Sequence, residues 1–383
     1  MMLRRFFLAS LLLASSLFGE FNYLVENTNF TISQGSTFPT VQKEYLYNYN
    51  RLRLNMDYYE GNYFAKLIGD GVNYFGDEFV NSNDFKYIQQ IQSDTPFKTQ
   101  TSFKNYEQGS IYAKLYRLYA GYEDDKNRVT VGLQNITMGV GRFWTPTNLF
   151  NPKNIYALEP DEVFGVAALS YTRHINETTD LSITSSLRED NSLKYAARYK
   201  TFQEFSDIAI DAVYSDITKM IGYEVEANLG DTGIEVRSEG AYILSKLKPN
   251  MQDIDFFQGI AGADYGFING INLTIEALYS SKSFSYTEIF SNLNSDILTN
   301  LTYSKFYTGT SLSYTFNIFL DGSLLYIESF NEKNSRFVSP TLTYTLNDFN
   351  TFIIGAMLQH GEDGSEFGSF KNNTYYLNYR LSF

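Results

Sequence analysis

The last nine residues of the chain, YYLNYRLSF (Tyr375–Phe383), alternate between two kinds of side chain. Counting from the first, every second residue is aromatic or aliphatic, whereas three of the four residues between them are polar. Successive side chains of a β-strand point to opposite faces, so this pattern gives one apolar and one polar face. A strand of a membrane barrel needs both, because one face meets lipid and the other meets water. The segment therefore predicts a transmembrane β-strand, with an edge strand of a soluble β-sandwich as the alternative.

The same alternation recurs along the chain. In RLRLNMDY (51–58), Leu52 and Leu54 alternate with Arg51 and Arg53. Further runs with this period lie at 128–134, 221–229, 271–277 and 341–346. Each run is a weak signal alone, but their repetition predicts an all-β chain that forms an antiparallel, up-and-down transmembrane barrel.

The first 19 residues, MMLRRFFLASLLLASSLFG, have the composition of a secretory signal peptide. Arg4 and Arg5 precede an apolar core at 6–13, and small residues follow near the expected cleavage site. That core is too short for a transmembrane helix, and no other stretch reaches 18 consecutive apolar residues. We therefore expect residues 1–19 to be removed on export. Residues 20–383 then form a single barrel domain in the lipid of the bacterial outer membrane.

The composition narrows the classes of function. The chain has 32 Tyr, 32 Phe, no Cys and a formal net charge of −13. The lack of Cys excludes disulfides and thiolate metal sites, and the acidic balance argues against a nucleic-acid partner. His174 and His360 are the only candidates for a histidine base. The surroundings of His360, HGEDGSE, favour an exposed acidic loop over a calcium site or a hydrolytic dyad. We expect no enzyme activity and no cofactor.

Connectors rich in Gly, Asn and Asp divide the chain into strands. Short connectors lie at 60–61, 123–127, 175–180, 230–233, 269–270 and 347–350, and longer polar ones at 70–108, 246–254, 282–300, 329–335 and 361–371. In outer-membrane barrels the short turns face the periplasm and the long loops face outward. Counting back from a periplasmic C-terminus gives about 18 strands if 21–33 is the first strand, and about 16 if it is not.

A barrel with this many strands encloses an aqueous lumen unless a segment narrows it. The polar faces of the early strands carry arginines, and those of the later strands carry glutamates. These candidate pore-lining charges are Arg51, Arg53, Arg117, Arg128, Glu224, Glu226, Glu235, Glu239 and Glu276. In a closed barrel the two groups face each other, which predicts a transverse field that orients polar solutes. Local pairing is the alternative, because Arg198 and Arg237 interrupt the acidic set.

One segment breaks the alternation: GVGRFWTPTNLFNPKNIYALEPDEVFG (Gly139–Gly165), which holds the only Trp and three of the seven prolines. The strand count makes it the third outer loop, yet it is too apolar to favour exposure to water and too rich in proline to extend the sheet. We expect it to fold into the lumen as a constriction. The candidate constriction residues are Arg142, Phe143, Trp144, Asn148, Phe150, Asn151, Tyr156 and Glu159. A folding clamp that touches no solute is the alternative.

Two features of the sequence resemble known families. Within Gly139–Ala168, GRFWTPTNLFNP is similar to a segment, roughly G.FWNPTDLFNP, of poorly characterised proteobacterial porin-like barrels near the alginate-export and porin families. Thr145 and Asn148 stand where that segment has Asn and Asp, so a ligand role of that Asp is not carried over. At the chain end, Tyr379, Leu381 and Phe383 resemble the signal by which the barrel assembly machinery recognises outer-membrane barrels. The resemblance implies a substrate channel or exporter without naming a substrate.

These observations lead to a porin that lets small hydrophilic solutes or ions cross the outer membrane. A substrate-selective transporter or exporter of oligosaccharides or organic acids is the second hypothesis. A surface adhesin or structural barrel built on the 70–108 connector is the third. By analogy with the trimeric general porins, in which a third loop constricts the lumen, a homotrimer is one expected assembly.

Overall fold

The computed structural model describes residues 19–37, 43–369 and 372–383. Residues 1–18 of the predicted signal peptide lie outside this part. The strands of the described part are β1 (Glu20–Gly35), β2 (Glu44–Glu60), β3 (Tyr63–Phe75), β4 (Lys104–Tyr106), β5 (Gly109–Glu123), β6 (Asn127–Gln134), β7 (Val166–Asn176), β8 (Thr179–Leu187), β9 (Leu193–Gln203), β10 (Ser206–Tyr214), β11 (Lys219–Asn228), β12 (Ile234–Leu247), β13 (Gln252–Gly266), β14 (Ile271–Ser280), β15 (Phe306–Asn317), β16 (Leu320–Phe330), β17 (Ser335–Asn347), β18 (Asn350–Gly361) and β19 (Thr374–Ser382).

Each wall strand pairs antiparallel with its neighbours in chain order, and the two ends of the sheet meet. β1 pairs with β2 on one side and with β19 on the other, in a register that runs from Glu26↔Ser382 to Gln34↔Thr374. The three-residue strand β4 pairs only with β5, so β3 also pairs with β5 directly. The wall is therefore a closed barrel of 18 strands, as predicted, and the segment 21–33 belongs to its first strand.

The connectors alternate between the two ends of the barrel as expected. The turns at the first end are 61–62, 124–126, 177–178, 204–205, 229–233, 267–270, 318–319 and 348–349. The loops at the other end, here called L1 to L9, are 36–43, 76–108, 135–165, 188–192, 215–218, 248–251, 281–305, 331–334 and 362–373. L2 begins later than the predicted residue 70, because β3 continues through Asp70 to Phe75. Likewise L6 and L8 are shorter than predicted, because the strands beside them extend further.

The alternation of side chains sorts residues between lipid and lumen. Leu52, Ile221 and Leu377 are exposed on the outside of the barrel, whereas Arg51 and Asn378 are buried on the inside. No helix in the described ranges is both long and apolar enough to cross a membrane. The outward residues form the apolar belt that a barrel presents to lipid, so the period of two seen in the sequence is confirmed.

The apolar core lies inside the barrel at the loop end. The helices are α1 (Asp77–Val80) and α2 (Asn83–Gln90) in L2, α3 (Tyr286–Ser291) in L7 and α4 (Glu366–Ser369) in L9, and 3-10 turns lie at Gly230–Thr232 and Leu298–Asn300. From L2, Phe79 and Phe85 pack against Tyr47 and Tyr74 of the wall. L2 thereby covers one side of the lumen and leaves the central space to L3.

Candidate functional site

L3 (135–165) lies across the lumen and is held first by the strands β11, β12 and β14. Three inward carboxylates of these strands, Glu224, Glu239 and Glu276, are 1%, 0% and 0% exposed. They do not face open water, because the backbone of L3 covers them and donates hydrogen bonds to them. The first such bond runs from the Gly139 amide to Glu224 Oε1 at 2.6 Å.

Glu239 and Glu276 each accept several backbone hydrogen bonds from L3. Glu239 accepts from the amides of Val140 at 2.9 Å, Gly141 at 3.1 Å and Thr147 at 2.7 Å, and from the Thr147 hydroxyl at 2.7 Å. Glu276 accepts from the amides of Arg142, Phe143 and Trp144 at 2.8, 3.1 and 2.9 Å. Charge-assisted hydrogen bonds of this kind are stronger than neutral ones, so these two carboxylates fix the path of the FWTPT segment.

The Arg142 side chain continues this contact with the acidic wall. Its guanidinium lies 3.1 Å from Glu226, 2.5 Å from Glu235 and 3.2 Å from Asp264. Arg142 remains 44% exposed at its side chain, so this ion-pair cluster is solvated. Glu226 and Glu235, predicted as pore-lining charges, therefore meet a loop cation.

The opposite end of L3 binds the arginines of the early strands. Arg51 donates two hydrogen bonds to Glu159, at 3.0 and 2.9 Å. Arg53 donates two to Glu162, both at 2.8 Å, while its Nε donates to Asp70 at 2.7 Å. L3 thus contacts the arginines of the early strands through its carboxylates, and the glutamates of the later strands through Arg142. Each end of the loop carries the charge opposite to that of the wall it binds.

The two carboxyls of L3 titrate differently. Burial raises the pKa of Glu159 even though Arg51 opposes the shift. Burial also disfavours the charged form of Glu162, but the hydrogen bonds from Arg53 and the charge of Arg51 outweigh it and lower the pKa of Glu162. Glu162 is therefore the more firmly ionised of the two anchors.

The asparagines of the LFNP motif hold L3 in shape. The Asn148 side chain accepts from the Asn151 amide at 3.0 Å and donates to the Asn151 carbonyl at 3.0 Å. The Asn151 side chain accepts from the Ile136 amide at 2.7 Å and donates to the Phe164 carbonyl. Both amides are buried and are used within the loop, so they act on its shape rather than on an open surface.

The aromatic residues of L3 pack against other loops and the wall. Trp144 lies between Phe143 and Tyr307, with ring centroids 5.9 Å from each. Tyr156 packs on Phe337 and Phe367. The Phe150 ring lies under the Lys194 ammonium at 4.3 Å, and Lys194 also donates to the Leu149 carbonyl at 2.9 Å. Burial of these rings explains why so apolar a loop avoids bulk water.

A β-bulge in β5 brings two consecutive side chains to the lumen at the height of L3. The register between β3 and β5 shifts between Ile68 and Gly69, so that Tyr116 has no partner. Tyr116 and Arg117 are consequently both buried on the inside, as bulges next to functional sites often arrange. Arg117 donates to the Val163 carbonyl of L3 at 3.1 Å.

Lys114 and Arg117 differ from the other lumen cations in their partners. Neither makes an ion pair with a carboxylate among the described residues. Arg117 stacks on the Tyr116 ring at 4.0 Å, and Lys114 lies 4.4 Å from the centroid of Phe164. By contrast, the predicted pore cation Arg128 lies 3.2 Å from Glu123 near the turn end of the barrel.

Cavities flank L3 on both sides. The one toward the loop end has a volume of about 1040 Å³ and is lined by L3 together with parts of L2, L7 and L9. The one toward the turn end has a volume of about 530 Å³, and its lining includes Lys66, Arg117, Arg128 and Arg198 but only one carboxylate, Asp161. L3 therefore separates a mixed vestibule from a basic chamber.

Several residues of this site were missing from the sequence prediction. Thr147 and Glu162 lie inside the Gly139–Gly165 segment, and their contact with opposite walls could not be read from its composition. Lys114 lies on the lumen face of a predicted strand and was detectable by alternation. Asp264 was detectable in the same way, but the bulge at Tyr116 leaves no signal in the sequence.

The C-terminal residues close the barrel. Tyr379 and Leu381 lie on β19, opposite Asn29 and Asn27 of β1. Phe383 follows the strand and exchanges two backbone hydrogen bonds with Val25, at 2.8 and 3.0 Å. Recognition of these residues by the assembly machinery stays a prediction.

Glu366 in α4 provides a pH test of the vestibule. Burial raises the pKa of Glu366 to about 7, and its carboxylate accepts from the Ser329 hydroxyl at 2.6 Å. Because this pKa is raised above the unfolded value, the stabilisation is complete below the unfolded pKa and is lost as the pH rises through about 7. After correction for the base-catalysed rise in intrinsic exchange, we expect the protection factors of the amides in 362–369 to be larger near about pH 5 than near about pH 8. The variant Glu366→Gln should lose this pH dependence; a dependence that persists would contradict the assignment.

The barrel is similar to several solved structures of bacterial outer-membrane proteins. Acinetobacter baumannii OccAB1 is similar at a TM-score of 0.63 and 9% identity, over 95% of this chain and 96% of that one. Pseudomonas aeruginosa OccK8 (OprE) is similar at 0.60 and 10%, over 95% and 98%. Pseudomonas aeruginosa OpdK, solved with vanillate, is similar at 0.57 and 9%, over 94% and 98%. The chain has the fold of these outer-membrane porins. No protein-family model and no curated protein sequence matches it.

Proposed function

We propose that this protein is an outer-membrane channel for small hydrophilic solutes or ions, with L3 as its constriction. The observation that carries the proposal is the position of L3, which is anchored to both walls and has a cavity on either side. A loop held from two sides narrows a lumen without filling it, because its anchors fix a path across the pore. The fold shared with the Occ and Opd proteins supports the same function.

The charges beside L3 favour anions. Lys114 and Arg117 lie at the height of the loop without a carboxylate at ion-pair distance in the described part of the chain. Asp70 and Glu162 act on them only from further away, so their positive potential is less fully compensated than that of the paired lumen cations. Field lines concentrate in a narrow, low-dielectric passage and raise the local concentration of the opposite charge. Selective passage of small organic acids is therefore the second candidate. The vanillate complex of OpdK, which contains an aromatic carboxylate, agrees with it.

Planar-bilayer recording of the refolded protein tests the channel. We expect discrete conductance steps, and a reversal potential in a salt gradient whose sign reports anion preference. Deletion of Phe143–Tyr156 should raise the conductance, because the constriction is removed from a barrel that stays closed. Bilayers that show no steps at any voltage, although the protein is folded, would refute the channel. An unchanged conductance after the deletion would refute the constriction.

A further inference from the structure

Asparagines interrupt the lipid-facing side of the barrel in three neighbouring strands. This asparagine face consists of Asn27 and Asn29 of β1, Asn48 and Asn50 of β2, and Asn73 of β3. Asn27 and Asn29 alternate with Thr28 and Phe30, which are buried inside. The amides of β2 likewise alternate with inward residues such as Tyr47. The period of two therefore directs these amides outward.

The asparagine face lies within the apolar belt rather than at its rim. In the register with β19, Asn27 is opposite Leu381, Asn29 is opposite Tyr379 and Thr31 is opposite Leu377. Leu377 is exposed on the outside of the barrel. Uncharged amides thus occupy a height at which the adjacent strand presents leucine and tyrosine to lipid.

The amides pair with each other but retain unused hydrogen-bonding capacity. Asn27 and Asn50 exchange two hydrogen bonds of 3.2 Å. Asn29 and Asn48 exchange two of 3.2 and 2.9 Å. Each amide has two N–H donors and a carbonyl oxygen with two lone pairs. Asn27 also donates to the Arg51 carbonyl and Asn48 to the Thr31 hydroxyl, both at 3.5 Å. Among the described residues this leaves one N–H on Asn29, one on Asn50, and one oxygen lone pair on each of the four amides. Acyl chains cannot satisfy the remainder, and unsatisfied polar groups in hydrocarbon are costly.

Two glycines lie beside the amides on the outer face of β3. Gly71 and Gly69 of β3 lie opposite Leu52 and Leu54 of β2. A side chain added at Gly69 would meet nothing within 4 Å, and one at Gly71 would meet only a backbone oxygen at 4.0 Å. The two glycines therefore leave a shallow depression next to the asparagine face, into which apolar side chains of another barrel can pack.

We propose that the asparagine face is the contact surface for a second copy of this chain within the outer membrane. An amide is both donor and acceptor, so a face of amides is complementary to itself without any charge. A second copy has the same orientation and carries its amides at the same depth. Closed rotational symmetry about the membrane normal is the usual form of such assemblies. Hydrogen bonds between polar side chains contribute to association inside membranes.

Cross-linking in intact outer membranes tests the surface. The chain has no Cys, so Asn29→Cys introduces a single thiol. A short bis-maleimide should join two copies of Asn29→Cys or Asn50→Cys. The matched control Ile221→Cys, exposed on β11 across the barrel, should stay uncross-linked. A product with the mass of a different protein, or equal cross-linking at Ile221→Cys, would overturn the proposal.

A second measurement separates loss of association from loss of folding. Native mass spectrometry in mild detergent should show an oligomer of the unmodified protein. Asn29→Leu/Asn50→Leu should weaken association roughly tenfold, whereas Thr308→Leu/Thr310→Leu on β15 should not. Single-channel conductance of each variant verifies that the barrel is folded, and it reports on the proposed channel independently. A monomeric mass for the unmodified protein would overturn the proposal even if the channel conducts.

Discussion

Replacement of both Glu239 and Glu276 by alanine should raise the single-channel conductance at least about twofold. Glu239 accepts four hydrogen bonds from L3, and Glu276 accepts three. Hydrogen bonds to charged groups contribute about 1.5–3 kcal/mol each. Without them, the backbone donors of the FWTPT segment lose their partners inside the barrel. L3 should then move toward water, where its amides are solvated, and widen the lumen. Planar-bilayer recording of the double variant measures this change.

The control is Glu226→Ala/Glu235→Ala, which removes the same charge from the same wall. These carboxylates bind only the solvated side chain of Arg142 within L3, so the backbone path of the loop should persist. We expect a shift in ion preference with little change in conductance. If both double variants raise the conductance equally, loss of charge rather than loss of anchoring explains the effect, and the anchoring role is wrong. Heat-modifiable migration on gels verifies that each variant is folded.

The strands of the barrel wall were predictable because each one is specified by its own short stretch of sequence. Each strand needs only an apolar residue at every second position, and runs such as 51–58 and 375–383 show this without reference to partners. Turn residues such as Asn269 and Gly270 divide the strands, and Gly270 adopts a φ of +88°, a region that favours glycine. Predicted loop bounds were less accurate, because L6 and L8 connect strands that extend beyond the lipid belt. In those strand ends, polar residues take part in the β-ladder as readily as apolar ones, so a polar stretch does not mark the end of a strand.

The sequence indicated which segment enters the lumen, but not which residues of the wall that segment binds. Apolar residues and prolines indicated that L3 enters the lumen. The wall partners of Arg142, Glu159 and Glu162, however, lie more than 80 residues away along the chain. Glu239 and Glu276 have the sequence pattern of open pore charges, yet in the structure they bind the loop backbone. The same pattern would occur in either case, because alternation reports only which face a side chain is on.

The cations of β5 should determine the ion selectivity of the channel. Lys114→Gln/Arg117→Gln should abolish the anion preference and reduce the flux of small carboxylates by roughly tenfold. Neither cation has a carboxylate at ion-pair distance in the described ranges, and Arg117 lines the cavity on the turn side of L3. Their charge is therefore less compensated by the protein than that of the paired cations and acts more strongly on passing solutes. Reversal potentials in a salt gradient and uptake of benzoate into proteoliposomes measure the two effects.

Paired cations provide the matched control for this prediction. Lys66 lies 2.8 Å from Asp57, and Arg128 lies 3.2 Å from Glu123. Lys66→Gln/Arg128→Gln removes the same formal charge from the same side of the lumen, but each removed cation was already compensated by a neighbouring carboxylate. We expect a clearly smaller shift in reversal potential. High salt should also reduce the preference of the unmodified channel, because screening shortens the range of uncompensated charges. Equal shifts in the two double variants would show that the total charge of the lumen sets the selectivity, and that Lys114 and Arg117 have no special role.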